Sequence, residues 1–455
     1  MRVALGVTLA FEGWVLAHYL RGPVDPRDNL AMLLVSTPAF LVAVALFARS
    51  GIRGRAAVLF VLSTGALFQL LALTVPPRTS DDDFRYIWDA KVQLSGTDPY
   101  RFTPVAPQLA RLREPLIFPT NGACPHRVGN VCTTINRPTV RTVYPPVAQA
   151  AFVALRLASF GDDGQHLALQ LAAAVGAVIV AWLLARRVLA RHRPPWLVAV
   201  WAWCPVTISE FGNNAHIDWL GVLFVVLAIT SNAARRSGLT GALMGAAIAT
   251  KLYPALVLPS LLRRRPWVVL GSAFGVVALS YLPHVLAVGT TVIGYLPGYL
   301  REEQYVSGDR LLLLNPVLGH PIDTFAGALI LGVVTYWAWR RTDPDVPEAS
   351  AVVVVGVALL VTTPNYGWYA TMLIALIVLS GAIEWLPVAF APSVTYLYRA
   401  VDLHTGVPSS VIYLAAAALT ATGYLLRTAG RLGTCRPSIL RTTAGSPSSV
   451  STTRR

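Results

Sequence analysis

Long apolar runs recur along most of the chain, and short polar links separate them. The runs lie at residues 3–20, 30–48, 55–76, 166–185, 196–210, 217–234, 238–262, 267–289, 322–339, 350–364, 367–382, 385–399 and 408–426. A stretch of about 20 apolar residues is long enough to cross a bilayer as a helix. The pattern therefore predicts an all-α, polytopic transmembrane protein of about 11–13 helices that form one domain.

Two of the runs do not fit a simple crossing. Residues 144–160, "YPPVAQAAFVALRLASF", begin with two prolines and contain Arg156, which predicts an amphipathic helix lying at the membrane interface. Residues 238–262 are interrupted by "TKLYPALVLP", with Lys251 and Pro254 inside the run. We expect two half-helices or two short spans there, since non-helical backbone at this depth must be enclosed by protein or face a water-filled cavity.

Charge is scarce and one-sided. Only 13% of the residues are charged and 55% are hydrophobic, whereas about 25% of a soluble protein is charged. A net charge of +15 can indicate nucleic-acid binding. The arginines instead lie in links between apolar runs, where positive charge marks the cytoplasmic side. The clusters are Arg49, Arg53 and Arg55; Arg186, Arg187, Arg191 and Arg193; Arg235 and Arg236; Arg263, Arg264 and Arg265; and Arg340 and Arg341.

This orientation divides the chain into regions. Residues 77–165 are predicted to form a large first extracytoplasmic loop that carries interfacial helices. A membrane domain is predicted over residues 1–428, followed by a disordered cytoplasmic tail over residues 429–455, which is rich in Arg, Ser and Thr. Residues 3–20 lack a small-residue cleavage site and are expected to be a retained span rather than a signal peptide.

Two cysteines lie in the predicted outer loop. Cys124 and Cys132 form a disulfide if the loop faces an oxidising compartment, and are otherwise free thiols. No Cys/His set has the spacing of a metal site, so no metal ligands are predicted.

Polar and aromatic residues collect at the predicted outer face. Four segments contribute: "DDDFRYIWDAK" at 81–91, "EFGNNAHID" at 210–218, "GYLPGYLREEQYVSGDR" at 294–310 and "TTPNYGWY" at 362–369. Carboxylates, amides and arginines bind hydroxyl and phosphate groups, so this set suits a polyhydroxylated ligand. Aspartates at a helix start also cap helices, and aromatic residues also mark the membrane interface. Lys251 is different, because an ionisable group inside a membrane run is costly and points to function.

The order of these motifs resembles a known superfamily. The stretch "DDDFRYIWDA…GTDPYRFTP…YPP" is similar to the first outer loop of GT-C superfamily glycosyltransferases, in their polyprenyl-phosphomannose-dependent mannosyltransferase branch and the catalytic subunit of GPI mannosyltransferase I. The acidic pair of that branch falls on Asp81 and Asp83, and its aromatic-Arg step on Phe84 and Arg85. The turn "NYGWY" departs from the family, which often has Pro where this chain has Gly367.

The resemblance implies an activity. The chain is expected to be a membrane glycosyltransferase that moves a sugar, with mannose the expected one, from a polyprenyl-phosphate donor to a cell-envelope glycan or glycolipid. The reaction is expected on the extracytoplasmic side of the plasma membrane, by an inverting displacement. Membrane lipids are expected partners and nucleic acid is not. No cofactor is required by the resemblance, although a divalent cation is compatible with it. No nucleotide-binding motif is present in the sequence.

The same resemblance suggests roles for particular residues. Asp81 is the expected general base, with Asp83 supporting the acceptor or a cation. Crowding of the three aspartates is expected to raise the pKa of at least one of them. The residues expected to bind substrate are Arg85, Trp88, Asp89, Lys91, Tyr100, His216, Asp218, Lys251 and Arg301.

A transporter or flippase for a polyol or lipid-linked sugar is the alternative interpretation. Broken helices near the membrane midplane suit a transporter. However, the sequence has no recognisable inverted repeat, and the polar residues gather at one face instead of along a path.

Overall fold

The computed structural model describes residues 1–159, 165–401 and 408–430. Its helices are α1 Arg2–Arg21, α2 Pro26–Arg49, α3 Gly54–Ala72, α4 Asp82–Leu94, α5 Pro146–Leu157, α6 Gln165–Ala190, α7 Ala199–Ala202, α8 Pro205–Thr207, α9 Asp218–Ala233, α10 Ser237–Ile248, α11 Leu258–Leu261, α12 Pro266–Val288, α13 Leu296–Glu302, α14 Asn315–Leu318, α15 Ile322–Arg341, α16 Glu348–Thr362, α17 Thr371–Ser380, α18 Leu386–Ala400 and α19 Ser409–Thr428. Nearly all of the predicted tail lies outside the described residues.

The structure confirms an all-α, polytopic membrane protein. Seven segments of the described chain are long and apolar enough to cross a membrane: α1, α2, α3, α6, Pro266–Glu302, α15 and α19. An eighth arises if Pro205–Asn213 and Asp218–Ala233, which meet at a 120° bend, form one broken span.

Several predicted spans are shorter than a full crossing. Residues 196–210 are divided among short 3₁₀, α and π segments, because Pro195 and Pro205 each start a new helical segment. The helices α16, α17 and α18 have 15, 10 and 15 residues. The central one, α17, is buried over Thr371–Leu379 and packs among α6, α9, α16 and α18. These helices form the core around which the longer ones pack.

The segment at 144–160 forms a helix that is shorter than a full crossing. Helix α5 has 12 residues, or about 18 Å of helix, against a hydrocarbon thickness of about 30 Å. It packs on α4, and the rings of Tyr86 and Phe152 stack at 4.3 Å. These two helices belong to a second apolar core, separate from that of the bundle, in which Trp88 packs edge-on against Phe118 at 4.9 Å.

A small hairpin completes this loop region. Strands β1 His126–Val128 and β2 Val131–Thr133 pair antiparallel, and they are the two strands found in the part of the chain that the structure describes. Cys124 and Cys132 form a disulfide across it, with their Cα atoms 5.5 Å apart. Of the two alternatives left open by the sequence, a disulfide or free thiols, the structure contains the disulfide.

The run at 238–262 is broken, as predicted. Helix α10 ends at Ile248, a non-helical stretch contains Lys251, and a 3₁₀ turn at Tyr253–Val257 leads into α11. Small residues let α10 lie against α12: a Cβ on Gly241 would be 2.2 Å from Val269 O, and one on Gly245 would be 2.5 Å from Ala273 O. This packing fixes the end of α10, and Lys251 lies in the non-helical stretch just after it.

Candidate active site

A cavity of about 700 Å³ opens between the loop region and the helical bundle. Its lining has a polar set of side chains, which we call the polar end, and an apolar set, which we call the apolar end. The polar end is lined by Asp81, Asp82, Arg85, Asn136, Arg137, Arg141, Tyr144 and Lys251. The apolar end is lined by Leu252, Leu256, Leu296, Leu300, Leu331, Val355, Ala358 and Leu359. The cavity is thus suited to a ligand with a polar head and an aliphatic tail.

The three consecutive aspartates face different surroundings because they begin α4, where successive residues point in different directions. Asp81 and Asp82 line the cavity. Asp83 is fully buried, does not line the cavity and contacts His166 Nδ1 at the start of α6. The structure therefore does not bring Asp83, one of the two predicted catalytic residues, to the cavity.

Asp81 lies at the mouth of the cavity. Its side chain is 50% exposed, and one carboxylate oxygen lies 3.6 Å from His126 Nε2 on the disulfide-closed hairpin. Burial raises the pKa of Asp81 above its ordinary value, the nearby His126 opposes that rise, and the charges of Asp83 and Asp82 add a smaller upward effect. The predicted rise is present, but burial contributes more than crowding.

Asp82 is held more firmly. Its carboxylate accepts hydrogen bonds from Tyr144 Oη at 2.7 Å and Asn136 Nδ2 at 3.1 Å. Burial would raise the pKa of Asp82, but the charges of His216 and Lys251 and these two hydrogen bonds outweigh it, so the pKa lies below its ordinary value. Asp82 is therefore an ionised, oriented carboxylate beside a more basic one.

Lys251 carries positive charge into the cavity. Its ammonium lies 3.0 Å from Asp218 Oδ2, which is fully buried. Three aromatic rings surround the same ammonium, with centroids at 5.5 Å for Tyr144, 5.6 Å for Trp368 and 5.9 Å for Tyr369. The break between α10 and α11 is what places this cation there.

His216 lies behind this group and is fully buried. Its Nδ1 lies 2.7 Å from Glu210 Oε2 and its Nε2 lies 2.9 Å from Ser80 Oγ. His216 does not line the cavity, but through Ser80 it supports the segment that leads into Asp81. His216 and Asp218, both predicted to bind substrate, thus lie outside the cavity lining, and each contacts a residue that lines it, Ser80 and Lys251 respectively.

Arg85 lines the cavity and is also part of a buried network. Its Nε lies 2.9 Å from Asp89 Oδ1, and the other oxygen of Asp89 accepts from Gln149 Nε2 at 2.9 Å. This network ties α4 to α5 and holds the guanidinium at the cavity wall.

Five more of the predicted substrate-binding residues do not line the cavity, and Asp89 of this network is one of them. Trp88 is buried in the apolar core of the loop region, and Tyr100 Oη donates to Tyr144 O at 2.6 Å. Lys91 pairs with Glu114, and Arg301 is exposed on α13. Trp88, Tyr100 and Lys91 thus each pack or bond within the loop region, which gives them a structural role there.

Sequence reasoning missed several cavity residues. Arg137, Arg141 and Tyr144 come from "INRPTVRTVYPP", where the available signal was a pair of arginines four residues apart just before α5. Tyr299 and Tyr396 also line the cavity. Tyr299 lies in the segment at 294–310 that the sequence analysis quoted, but it was not selected there, and no motif marked Tyr396. Within the described ranges, no group of three or more His, Cys, Asp or Glu side chains could hold a metal ion.

Comparison with known families adds a second line of evidence. Residues 142–364 match the model of glycosyltransferase family 87. The match indicates a membrane glycosyltransferase of GT-C type, which acts on a sugar donor and an acceptor. It includes Tyr144 and Lys251, while the two cavity aspartates precede it. No curated protein and no solved structure matches the chain.

Proposed function

We propose that this protein is a membrane glycosyltransferase that moves a sugar from a polyprenyl-phosphate donor to a cell-envelope glycan or glycolipid. The proposed sugar is mannose, because the sequence resembles the polyprenyl-phosphomannose-dependent branch of the GT-C superfamily. The observation that supports the donor is the lining of the cavity. Its polar end contains carboxylates and cations, and its apolar end, which we call the aliphatic groove, consists of leucine, valine and alanine side chains. A nucleotide sugar has no aliphatic tail to fill that groove.

The donor would lie with its prenyl chain along α13, α15 and α16 and its phosphate near Lys251. An ammonium group has three donors, so the contact with Asp218 leaves others for a phosphate oxygen. Arg85 and Arg141 also line this end. Fixed positive charge around the departing phosphate stabilises the negative charge that develops there during transfer.

Asp81 would act as the general base. It has the raised pKa of the two cavity aspartates, and its half-exposed carboxylate is accessible to an acceptor hydroxyl. Asp82 has both oxygens engaged by Tyr144 and Asn136, so we assign it to positioning and to charge balance with Lys251. Asp83, buried against His166, would position the start of α4.

The chemistry is a single displacement. The acceptor oxygen attacks the anomeric carbon while its proton passes to Asp81, and the bond from that carbon to the phosphate oxygen breaks. Polyprenyl phosphate leaves with the bonding electron pair, and the configuration at the anomeric carbon is inverted. The proposed site for this reaction is the extracytoplasmic face of the plasma membrane, in keeping with the arginine-rich links on the opposite side.

A donor comparison tests the proposal. Purified protein in lipid nanodiscs would receive radiolabelled polyprenyl-phosphate mannose, polyprenyl-phosphate glucose or GDP-mannose, with octyl α-mannoside as acceptor. We expect a labelled disaccharide from a polyprenyl-phosphate sugar and none from GDP-mannose. Transfer from GDP-mannose would overturn the donor assignment. Translocation of the lipid-linked sugar across proteoliposomes without glycosidic bond cleavage would favour the transporter alternative.

A further inference from the structure

A second, smaller pocket of about 360 Å³ lies beside the cavity, and we call it the side pocket. It is lined by Glu302 and Glu303 at the end of α13 and by Arg310, Asn365 and Arg399. Its volume falls within the range of about 300–1,000 Å³ that is usual for small-molecule sites. Neither the family match nor the donor assignment gives this pocket a role.

The side pocket adjoins the cavity. Arg137, Tyr366 and Tyr396 line both spaces. The rings of Tyr366 and Tyr396 lie 5.6 Å apart, and Tyr396 Oη donates to Thr79 O at 2.5 Å, just before the three aspartates. The two spaces therefore share a wall that these side chains form.

Two consecutive residues connect the spaces. Asn136 donates to Asp82 in the cavity. The next residue, Arg137, has a left-handed φ of 51°, which is uncommon for a residue other than glycine. Its guanidinium contacts two residues of the side pocket, donating to Glu302 Oε1 at 2.5 Å and to Tyr366 Oη at 3.4 Å.

The charges of the side pocket largely compensate one another. Arg137 pairs with Glu302, and the buried Arg310 pairs with Glu303, which also accepts from Tyr366 Oη at 2.6 Å. Arg399 lies with its Nη1 3.5 Å from Asn365 Oδ1. Among the described residues, the lining has five charged side chains, two amides and two tyrosines, whereas its only aliphatic member is Ala400.

This chemistry differs from that of the donor groove. Guanidinium, carboxylate, amide and phenol groups all form hydrogen bonds with hydroxyls. The near-neutral charge does not select a phosphate, and the scarcity of aliphatic side chains does not suit a prenyl chain. The ligand that fits is an uncharged, hydroxyl-rich molecule.

We propose that the side pocket binds the acceptor as a neutral saccharide and presents one of its hydroxyls, past Arg137 and Tyr366, to the polar end of the cavity. This inference rests on the proposed glycosyl transfer and deepens it by assigning the class of acceptor and its location. Arg399 and Asn365 then determine acceptor affinity without contacting the donor.

Separate Michaelis constants for donor and acceptor test the assignment. Arg399→Leu and Asn365→Leu would be compared with wild type in nanodiscs, with polyprenyl-phosphate mannose as donor and octyl α-mannoside as acceptor. We expect the KM for octyl α-mannoside to rise about tenfold in Arg399→Leu, which loses a hydrogen bond from a charged group, and roughly twofold to tenfold in Asn365→Leu, which loses a neutral one. The KM for the donor, and the rate of donor hydrolysis without acceptor, should stay near wild type.

Two further variants provide matched controls. Arg111→Leu replaces an exposed arginine that is in the loop region and lines neither space, and it should change neither KM. Leu331→Trp intrudes on the aliphatic groove and should raise the KM for the donor.

The outcomes separate this inference from the proposed function. If wild type transfers mannose while Arg399→Leu and Asn365→Leu leave the acceptor KM unchanged, or raise only the donor KM, the side pocket is not the acceptor site. Hydrolysis of the donor with no transfer to octyl α-mannoside would contradict a neutral saccharide acceptor. If wild type neither hydrolyses nor transfers from any polyprenyl-phosphate sugar, the proposed function itself fails, and this inference with it.

Discussion

At Asp81, burial and a neighbouring imidazole act on the pKa in opposite directions. Burial raises the pKa of the carboxyl, and His126 at 3.6 Å lowers it in part. A general base works only when ionised, so turnover should fall as the pH drops through the raised pKa of Asp81. That acid limb should lie above about 3.9, the ordinary value for an aspartate.

Replacing His126 should move this limb. His126→Gln removes the effect that lowers the pKa of Asp81, so the acid limb of kcat/KM should shift to higher pH. The measurement is a pH–rate profile from about pH 4 to 8. His192→Gln, at an exposed position far along the chain after α6, should leave the limb in place. An unmoved limb, or a shift to lower pH, in His126→Gln would show that Asp81 is not the group that titrates.

Lys251 offers a test of phosphate binding. Lys251→Met should raise the KM for the polyprenyl-phosphate donor by roughly tenfold to a hundredfold, because a charged hydrogen bond to phosphate is lost. Lys251→Arg should recover most of the affinity. The single change leaves Asp218 buried without its cation, so Lys251→Met combined with Asp218→Asn serves as the charge-balanced variant. A normal donor KM in that double variant would contradict the role of Lys251.

Among the helices, the close contact of α10 with α12 positions the break that carries Lys251. A Cβ on Gly245 would lie 2.5 Å from Ala273 O, so Gly245→Ala forces the two backbones apart. The expected loss of stability is about 1–3 kcal/mol, as for other overpacked contacts. The change is measured as a lower midpoint of thermal unfolding in detergent.

Helix α12 itself provides the matched control for Gly245→Ala. A Cβ added to Gly275 would have no neighbouring atom within 4 Å, so Gly275→Ala meets open space. Alanine favours helix by up to about 1 kcal/mol over glycine, and this variant should be neutral or slightly stabilised. Equal destabilisation by both changes would show that helix packing is not the cause.

For the protein as a whole, sidedness is the open prediction. The arginine distribution predicts that the loop region lies outside the cytoplasm and residue 53 inside. Cysteines introduced at the exposed positions Gln108 and Arg53, in a chain with Cys204 and Cys435 replaced by serine, would be labelled with an impermeant thiol reagent in intact cells. We expect labelling of Gln108→Cys alone. Labelling of Arg53→Cys alone would move the active site to the cytoplasmic face.

Much of this architecture could be predicted from local patterns. Hydropathy predicted the helical membrane class, and the prolines and charges at 144–160 and 238–262 predicted the short α5 and the break at Lys251. The division of labour among the aspartates could not be predicted, because it depends on His166 and Asn136, which approach from distant parts of the chain. Arg137 was missed for the same reason, since its partners lie on α13 and in the turn before α17.

The transfer rate of Asp81→Asn tests the central claim most directly. Asparagine keeps the shape of the side chain but removes the basic oxygen, and loss of a general base costs about 10²–10⁴-fold in rate. Asp309→Asn, in an exposed loop and lining neither space, is the control and should transfer at the wild-type rate. With polyprenyl-phosphate mannose and octyl α-mannoside, the account predicts that Asp81→Asn keeps the wild-type donor KM but loses turnover by that factor. Turnover within about twofold of wild type would contradict the account, because a general base contributes far more than that.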